Sequence, residues 1–289
     1  MVKNNFFLFV IMIMAMISWG ISWPAAKIVG QYAKPESLIA WRFLFGLISM
    51  IFVMMFLKIP ITLPGKALKY VLSASLLIIF YNYNYLKGTQ IGMSGLGGVI
   101  VPTVSPIITF VLSALFFKNR FKKKGVFGLL LGLCGSGILI RVWEMNVNAI
   151  IGSGSVYFFL GAISWALITI LTQKSNNTLN PINFSFWVYG FGSVLALILF
   201  PSENFYNIFS FELKFWINFL LISSIALGLG TTAYFYTTMK LGSSKASSFM
   251  FFVPFSSILS SSIIIGEPVL MSTIVGGSFT IFAVYLINY

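Results

Sequence analysis

No histidine occurs anywhere in the 289 residues, and the chain has one cysteine and only five acidic residues. Without histidine it lacks the commonest proton relay, catalytic base and metal ligand. The single thiol, Cys134, lies inside an apolar run and can form neither a disulfide nor a thiolate metal site within one chain. The acids, Glu36, Glu144, Glu203, Glu212 and Glu267, are scattered, and none lies mid-span. No metal and no cofactor are therefore expected, and no carboxylate is positioned to carry a proton through the membrane. Charge of either sign is scarce: 8% of residues are charged against 58% hydrophobic. A soluble domain would carry about 25% charged residues. The composition is that of an integral membrane protein. A net charge of +13 would suggest nucleic acid in a soluble chain, but that partner needs a basic face on a water-exposed domain, and the short connections leave none.

What the chain has instead is long apolar runs. Residues Leu96 to Phe117 include no charge, and Lys118, Arg120, Lys122, Lys123 and Lys124 follow at once. A bilayer core of about 30 Å takes about 20 apolar helical residues to cross, so this stretch reads as a span with a basic cytoplasmic end. Phe6 to Ala26 is longer than a signal-peptide core of about 7 to 15 residues, which makes it the first span. Ten spans are expected, near 6–28, 36–57, 69–90, 95–117, 125–143, 150–173, 180–200, 215–239, 246–265 and 268–288. With the N-terminus inside, twelve of the 18 basic residues and none of the acids fall on the cytoplasmic side. That bias predicts both termini cytoplasmic.

The chain also repeats itself. Ile17-Ser18-Trp19-Gly20 matches Ile163-Ser164-Trp165-Ala166, and at the same offset of 146 Pro35, Trp41 and Gly46 meet Pro181, Trp187 and Gly192. The offset is 150 for Gly92 and Gly242, then 148 for Pro106 and Pro254 and for Gly128 and Gly276. Five spans per copy is an odd number, so the second copy enters the membrane inverted. The expected architecture is all-α, ten transmembrane helices as two inverted five-helix repeats, 1–147 and 148–289. Inverted repeats recur in secondary transporters, with the substrate site near the midplane between the halves.

Aromatic and amide residues supply the candidate site. Trp19 and Trp23 share a helix face with Lys27, Tyr81, Tyr83 and Tyr85 interleave with Asn82 and Asn84, Trp165 is mid-span, and Tyr234 and Tyr236 lie beside Thr231 and Thr232. Such rings stack on flat or cationic solutes and donate single hydrogen bonds. Trp19, Trp23, Arg42, Tyr81, Asn82, Asn84, Trp165, Thr232 and Tyr234 are expected to bind substrate; the competing role for such aromatics is an interfacial belt or helix packing, which is the expectation near span ends, as at Trp41, Tyr70 and Trp216. Lys27, Arg42 and Lys87 are the basic residues within reach of a substrate carboxylate, Arg42 foremost because it sits one turn inside its helix. Snorkelling to the interface is the alternative for each. Pro24, Pro102, Pro106 and Pro254 are candidate hinges or static kinks. The Gly128 to Gly132 spacing offers a small-residue face for a homodimer or for packing within a monomer. Gly228-x-Gly230-x-x-Ala233 fits a dinucleotide pattern, but no strand precedes it and its run is uncharged.

The order of Trp19-Gly20 with Lys27, Trp41-Arg42-Phe43, Gly92 to Pro106, Ser164-Trp165-Ala166 and Ile265-Gly266-Glu267 resembles the drug/metabolite transporter superfamily, in its branch of two EamA-type repeats. The resemblance covers nearly the whole chain. It implies a ten-helix bacterial inner-membrane exporter of amino acids, other metabolites or toxic organic compounds. One departure is visible: the family's Gly-Glu after the fourth span is Lys118-Asn119 here. The expected function is secondary transport of small organic solutes, such as amino acids or aromatic and amphipathic metabolites, by alternating access around a central aromatic cavity. The competing class is a membrane-embedded lipid- or prenyl-modifying enzyme, which would need clustered acids or histidines.

Overall fold

The computed structural model describes residues 2–92, 94–118, 123–144, 154–201, 205–265 and 270–288, and outside short turns these are helical. The motif at Gly266-Glu267, Asn119, Glu203 and the first residues of the sixth expected span fall outside them. Ten rods follow in order among the described residues. They are α1 (Val2–Val29), α2 (Pro35–Leu57), α3 (Gly65–Ile91), α4 (Ser94–Phe117), α5 (Lys123–Leu139), α6 (Ser155–Ser175), α7 (Pro181–Leu199), α8 (Leu213–Leu241), α9 (243–265) and α10 (Met271–Asn288).

Seven of these are long and apolar enough to cross a membrane. Ten equivalent spans is therefore too simple a count. Lys69 and the Asn82 and Asn84 amides make α3 too polar, the fifth rod ends at Leu139 instead of near 143, and a 3-10 turn at Phe249–Phe251 interrupts α9. After α5, Arg141 at positive φ turns the chain into a short 3-10 helix, Val142–Glu144, closed by an Arg141 to Glu144 ion pair. Helix starts follow ordinary capping rules. Pro35 and Pro181 occupy first-turn positions where a missing N–H costs nothing, and the Asn180 side chain accepts from Asn183 N–H at 2.9 Å.

The packing pairs helices from opposite halves. α1 lies along α9 and α4 along α6; α1 also meets α8, α3 meets α6, α2 meets α8 and α3 meets α7. Each pairing has its counterpart when the halves are exchanged. Two rods pack on their own repeat-mates, α2 on α7 and α5 on α10. In both cases the directions oppose: Gly46 faces Tyr189 while Gly192 faces Phe43, and Gly128 faces Ile287 while Gly135 faces Gly276. The Gly135 to Gly276 crossing brings backbone against backbone, as small residues permit in lipid.

Cross-half ties close both ends of the bundle. At the end where α1 finishes, Trp41 Nε1 donates to Phe205 O at 2.7 Å, Tyr32 donates to the Glu212 carboxylate, and that carboxylate holds the Tyr32 phenol above its usual pKa. Trp187 mirrors Trp41 at the other end, donating Nε1 to Thr62 O at 2.9 Å. Of the belt and packing roles expected for Trp41, the structure shows packing: the ring is buried and stacked on Phe205.

Candidate functional site

The repeat-mates Trp19 and Trp165 meet edge to face at the centre of the bundle, with ring centroids 4.9 Å apart. Both are mid-helix on rods that pack across the halves, so the sequence places two large rings on one axis. Around them lies a cavity of about 30 Å³. At about 10–15 Å³ per water, this holds about two waters. First-half walls come from Ser22 and Trp23 beside Trp19, Arg42 on α2, Tyr81 and Tyr85 on α3, and Val101 with Pro102 on α4; the second half adds Trp165, Ala226, Leu227, Thr231, Met250 and Val253.

Three of these walls are repeat-mates of one another: Trp19 with Trp165, Tyr81 with Thr231, and Pro102 with Met250. The rings form a continuous chain of contacts, of which Tyr81 on Tyr85 is stacked. Tyr81 is 4.7 Å from Trp165 and 6.1 Å from Tyr85, and Trp23 lies 4.7 Å from Tyr85.

Polar contacts in the wall converge on α8, whose middle, Leu221–Thr231, is wound as a π-helix. Such winding offers carbonyls to outside donors and recurs at functional sites. Trp19 Nε1 donates to Ala226 O at 3.1 Å, Arg42 Nε to Ile222 O at 3.2 Å, and Tyr189 Oη to Leu227 O at 2.8 Å. Arg42 is buried, 4% exposed, with its guanidinium 4.6 Å from the Tyr85 ring centre. The Arg42 guanidinium also lies beside the Tyr85 hydroxyl and the Trp165 indole beside that of Tyr234, yet Arg42 Nη1 and Trp165 Nε1 complete no hydrogen bond. Tyr85 itself donates to Ser22 O at 2.7 Å.

Of the residues expected at the site, Trp19, Trp23, Arg42, Tyr81 and Trp165 surround this cavity, together with the proline Pro102. Tyr234 lies one layer out, its ring 5.2 Å from Trp19 and 5.5 Å from Trp165, and its hydroxyl 2.9 Å from that of Thr169. Asn82, Asn84 and Thr232 are placed elsewhere. Each amide turns back on its own helix, Asn82 Nδ2 to Ile78 O and Asn84 Nδ2 to Phe80 O, both at 2.7 Å. Thr232 bonds Gly228 O and the Met50 sulfur between α2 and α8. Pro24, Pro106 and Pro254 also lie outside the cavity wall. Lys27 does not reach it either: its ammonium donates to Gln90 O and Gly92 O at 3.2 and 2.8 Å, where α3 ends.

Sequence reasoning missed Ser22, Tyr85, Val101, Ala226, Leu227, Thr231, Met250 and Val253 as lining residues. Signals for four were present. Ser22 and Tyr85 lie three and four residues from Trp19 and Tyr81 on the same helical faces, and Thr231 and Met250 are the repeat-mates of Tyr81 and Pro102.

Comparison with known proteins places the chain in a family. The chain is 29% identical over 275 residues to the Bacillus subtilis protein named uncharacterized transporter YvbV, covering 94% of this chain and 88% of that one. It is 27% identical over 164 residues, 56% of this chain and 52% of the relative, to a Salmonella typhimurium protein named a probable amino-acid metabolite efflux pump. A crystal structure with 15% identity superposes with a TM-score of 0.74 over 97% of this chain and 96% of that one, which shows a shared fold. The family described as the EamA-like transporter family matches twice, over residues 7–141 and 152–289. This protein, a multi-pass membrane protein duplicated along its length, belongs to the EamA-like transporter family.

Proposed function

We propose that the chain is a secondary transporter that carries small organic solutes out of the cytoplasm by alternating access around the Trp19 and Trp165 cavity. One observation carries this reading: the cavity is walled by equivalent residues from both halves and lies where their helices cross. Exchange of the halves preserves every major helix pairing, and the repeat-mate pairs α2 with α7 and α5 with α10 run antiparallel. Repeats related by an axis along the membrane normal would set those mates parallel. Opposed directions support an axis in the membrane plane and units of 1–147 and 148–289 inserted with opposite polarity.

Room for about two waters is too little for a metabolite, so the described state is closed and must open to load. Rocking one half against the other would open the cavity to alternate faces. The basic ends of α2, α4, α6 and α8, with Lys58, Lys118, Lys174 and Lys240, support a cytoplasmic placement for that side and for both termini of an inner-membrane protein. With no acid mid-span, facilitated flow or exchange is expected over tight proton coupling. Amino acids and aromatic or amphipathic metabolites suit the ring-lined walls.

Reconstitution in liposomes tests the reading. Counterflow of a labelled solute from a broad metabolite panel, with the solute recovered unchanged, is the expected result. Chemical conversion of the solute would instead support the enzyme alternative. Trp165→Ala should lower the initial rate about tenfold or more while leaving expression intact, since it removes a ring central to that chain of contacts; an unchanged rate would remove Trp165 from the site.

A further inference from the structure

Arg42 is buried at the cavity wall with one N–H edge unused, although an unpaired charge in a low-dielectric site is costly. No described acid relieves it. Glu144 pairs with Arg141, Glu212 receives Tyr32, and Glu36 lies in the first turn of α2, outside the cavity wall. The second bare donor in the same wall is Trp165 Nε1. An indole N–H and a guanidinium can donate but cannot accept. Two residues of the cavity wall therefore carry donors with no completed hydrogen bond, one of them cationic, beside the rings of Tyr81 and Tyr85.

Resting on the transport reading above, we infer that the solute is a small monocarboxylate with a flat apolar body, and that its carboxylate takes the free edges of Arg42 and Trp165. Planar guanidinium suits a carboxylate, and binding would restore the partner each donor lacks. A zwitterionic amino acid fits less well. Its ammonium would find aromatic faces but no described carboxylate in the wall.

Quenching of tryptophan fluorescence in the purified full-length protein tests this with three probes of one shape: phenylacetate, its neutral amide phenylacetamide, and phenylalanine. Phenylacetate should bind the wild type at least about tenfold more tightly than either of the others, the difference expected for a charge-assisted hydrogen bond. Arg42→Gln should remove that preference, while Arg42→Lys should keep part of it. Trp165→Phe, which keeps a ring and deletes the N–H, should weaken phenylacetate several-fold more than it weakens the amide. Equal binding of amide and carboxylate, tighter binding of phenylalanine, an unaltered Arg42→Gln protein, or no binding of any probe by the wild type would each overturn the inference. Failure of these arms with counterflow of other solutes intact would leave the transport reading standing. Arg42-dependent binding without any flux in liposomes would do the reverse.

Discussion

Lys27 and Gln173 hold equivalent places in the two halves, 146 residues apart, yet they tie the bundle with different chemistry. Lys27 reaches from the end of α1 to the carbonyls of Gln90 and Gly92, and Gln90 returns the contact by donating to Gly30 O at 2.7 Å. Gln173, near the end of α6, accepts from Ser243 N–H at 2.7 Å across the matching turn at Gly242. An ammonium thus latches one end of the molecule and an amide the other. The cavity is asymmetric in the same sense. Arg42 and Tyr85 from the first half correspond to Val188 and Phe235 in the second, so the charge enters from one side only. Duplication supplies matching scaffolds, and divergence at a few positions supplies polarity and unequal latches.

The sharpest way to break this comparison is at the glycine mates of α5 and α10. A Cβ on Gly276 would stand 2.7 Å from Gly135 O and 2.9 Å from Leu139 N, whereas one on Gly128 meets chiefly the Ile287 side chain. Backbone cannot yield as a side chain can. Gly276→Ala should lower the thermal midpoint in detergent, at a cost of about 1–3 kcal/mol, and Gly128→Ala should change it little. Equal shifts would mean that the two sides of this contact are interchangeable.

Next in size are the latches. Lys27→Met should raise the population open at its end about tenfold, because charged hydrogen bonds are lost; Gln173→Leu should raise the opposite population only a few-fold. Labelling of single cysteines beside each latch, in a Cys134→Ser background, reads both. A shift of both variants toward the same face would end the idea of opposed gates.

The smallest effect separates the two central indoles. Trp19→Phe deletes the hydrogen bond to Ala226 O, which should cost about 1 kcal/mol of stability beyond the lost ring volume. Trp165→Phe loses the same ring volume but no completed hydrogen bond, so its stability should fall by about 1 kcal/mol less. Thermal melts of both proteins, with and without phenylacetate, make the distinction.

Trp19 and Trp165 were readable as central because the repeat put them at equal depths of apolar runs. Depth alone did not separate them from Asn82 and Asn84, which turn their amide N–H groups one turn back on their own helix. Spacing aligned Lys27 with Trp19 and Trp23, but only the folded position of α3 put free carbonyls within its reach. The π-wound stretch of α8 carries no mark that its apolar, glycine-containing residues would announce. Its winding accompanies bonds from Trp19, Arg42 and Tyr189 on three other helices.

Residue order and composition alone determined that this chain lives in lipid and was built by duplication, because partition between water and hydrocarbon depends on what the residues are and not on whom they touch. Which donors remain unspent was decided by tertiary structure. Arg42 finds its carbonyl on Ile222, 180 positions away, and its other edge is bare only because of what the surrounding helices bring beside it.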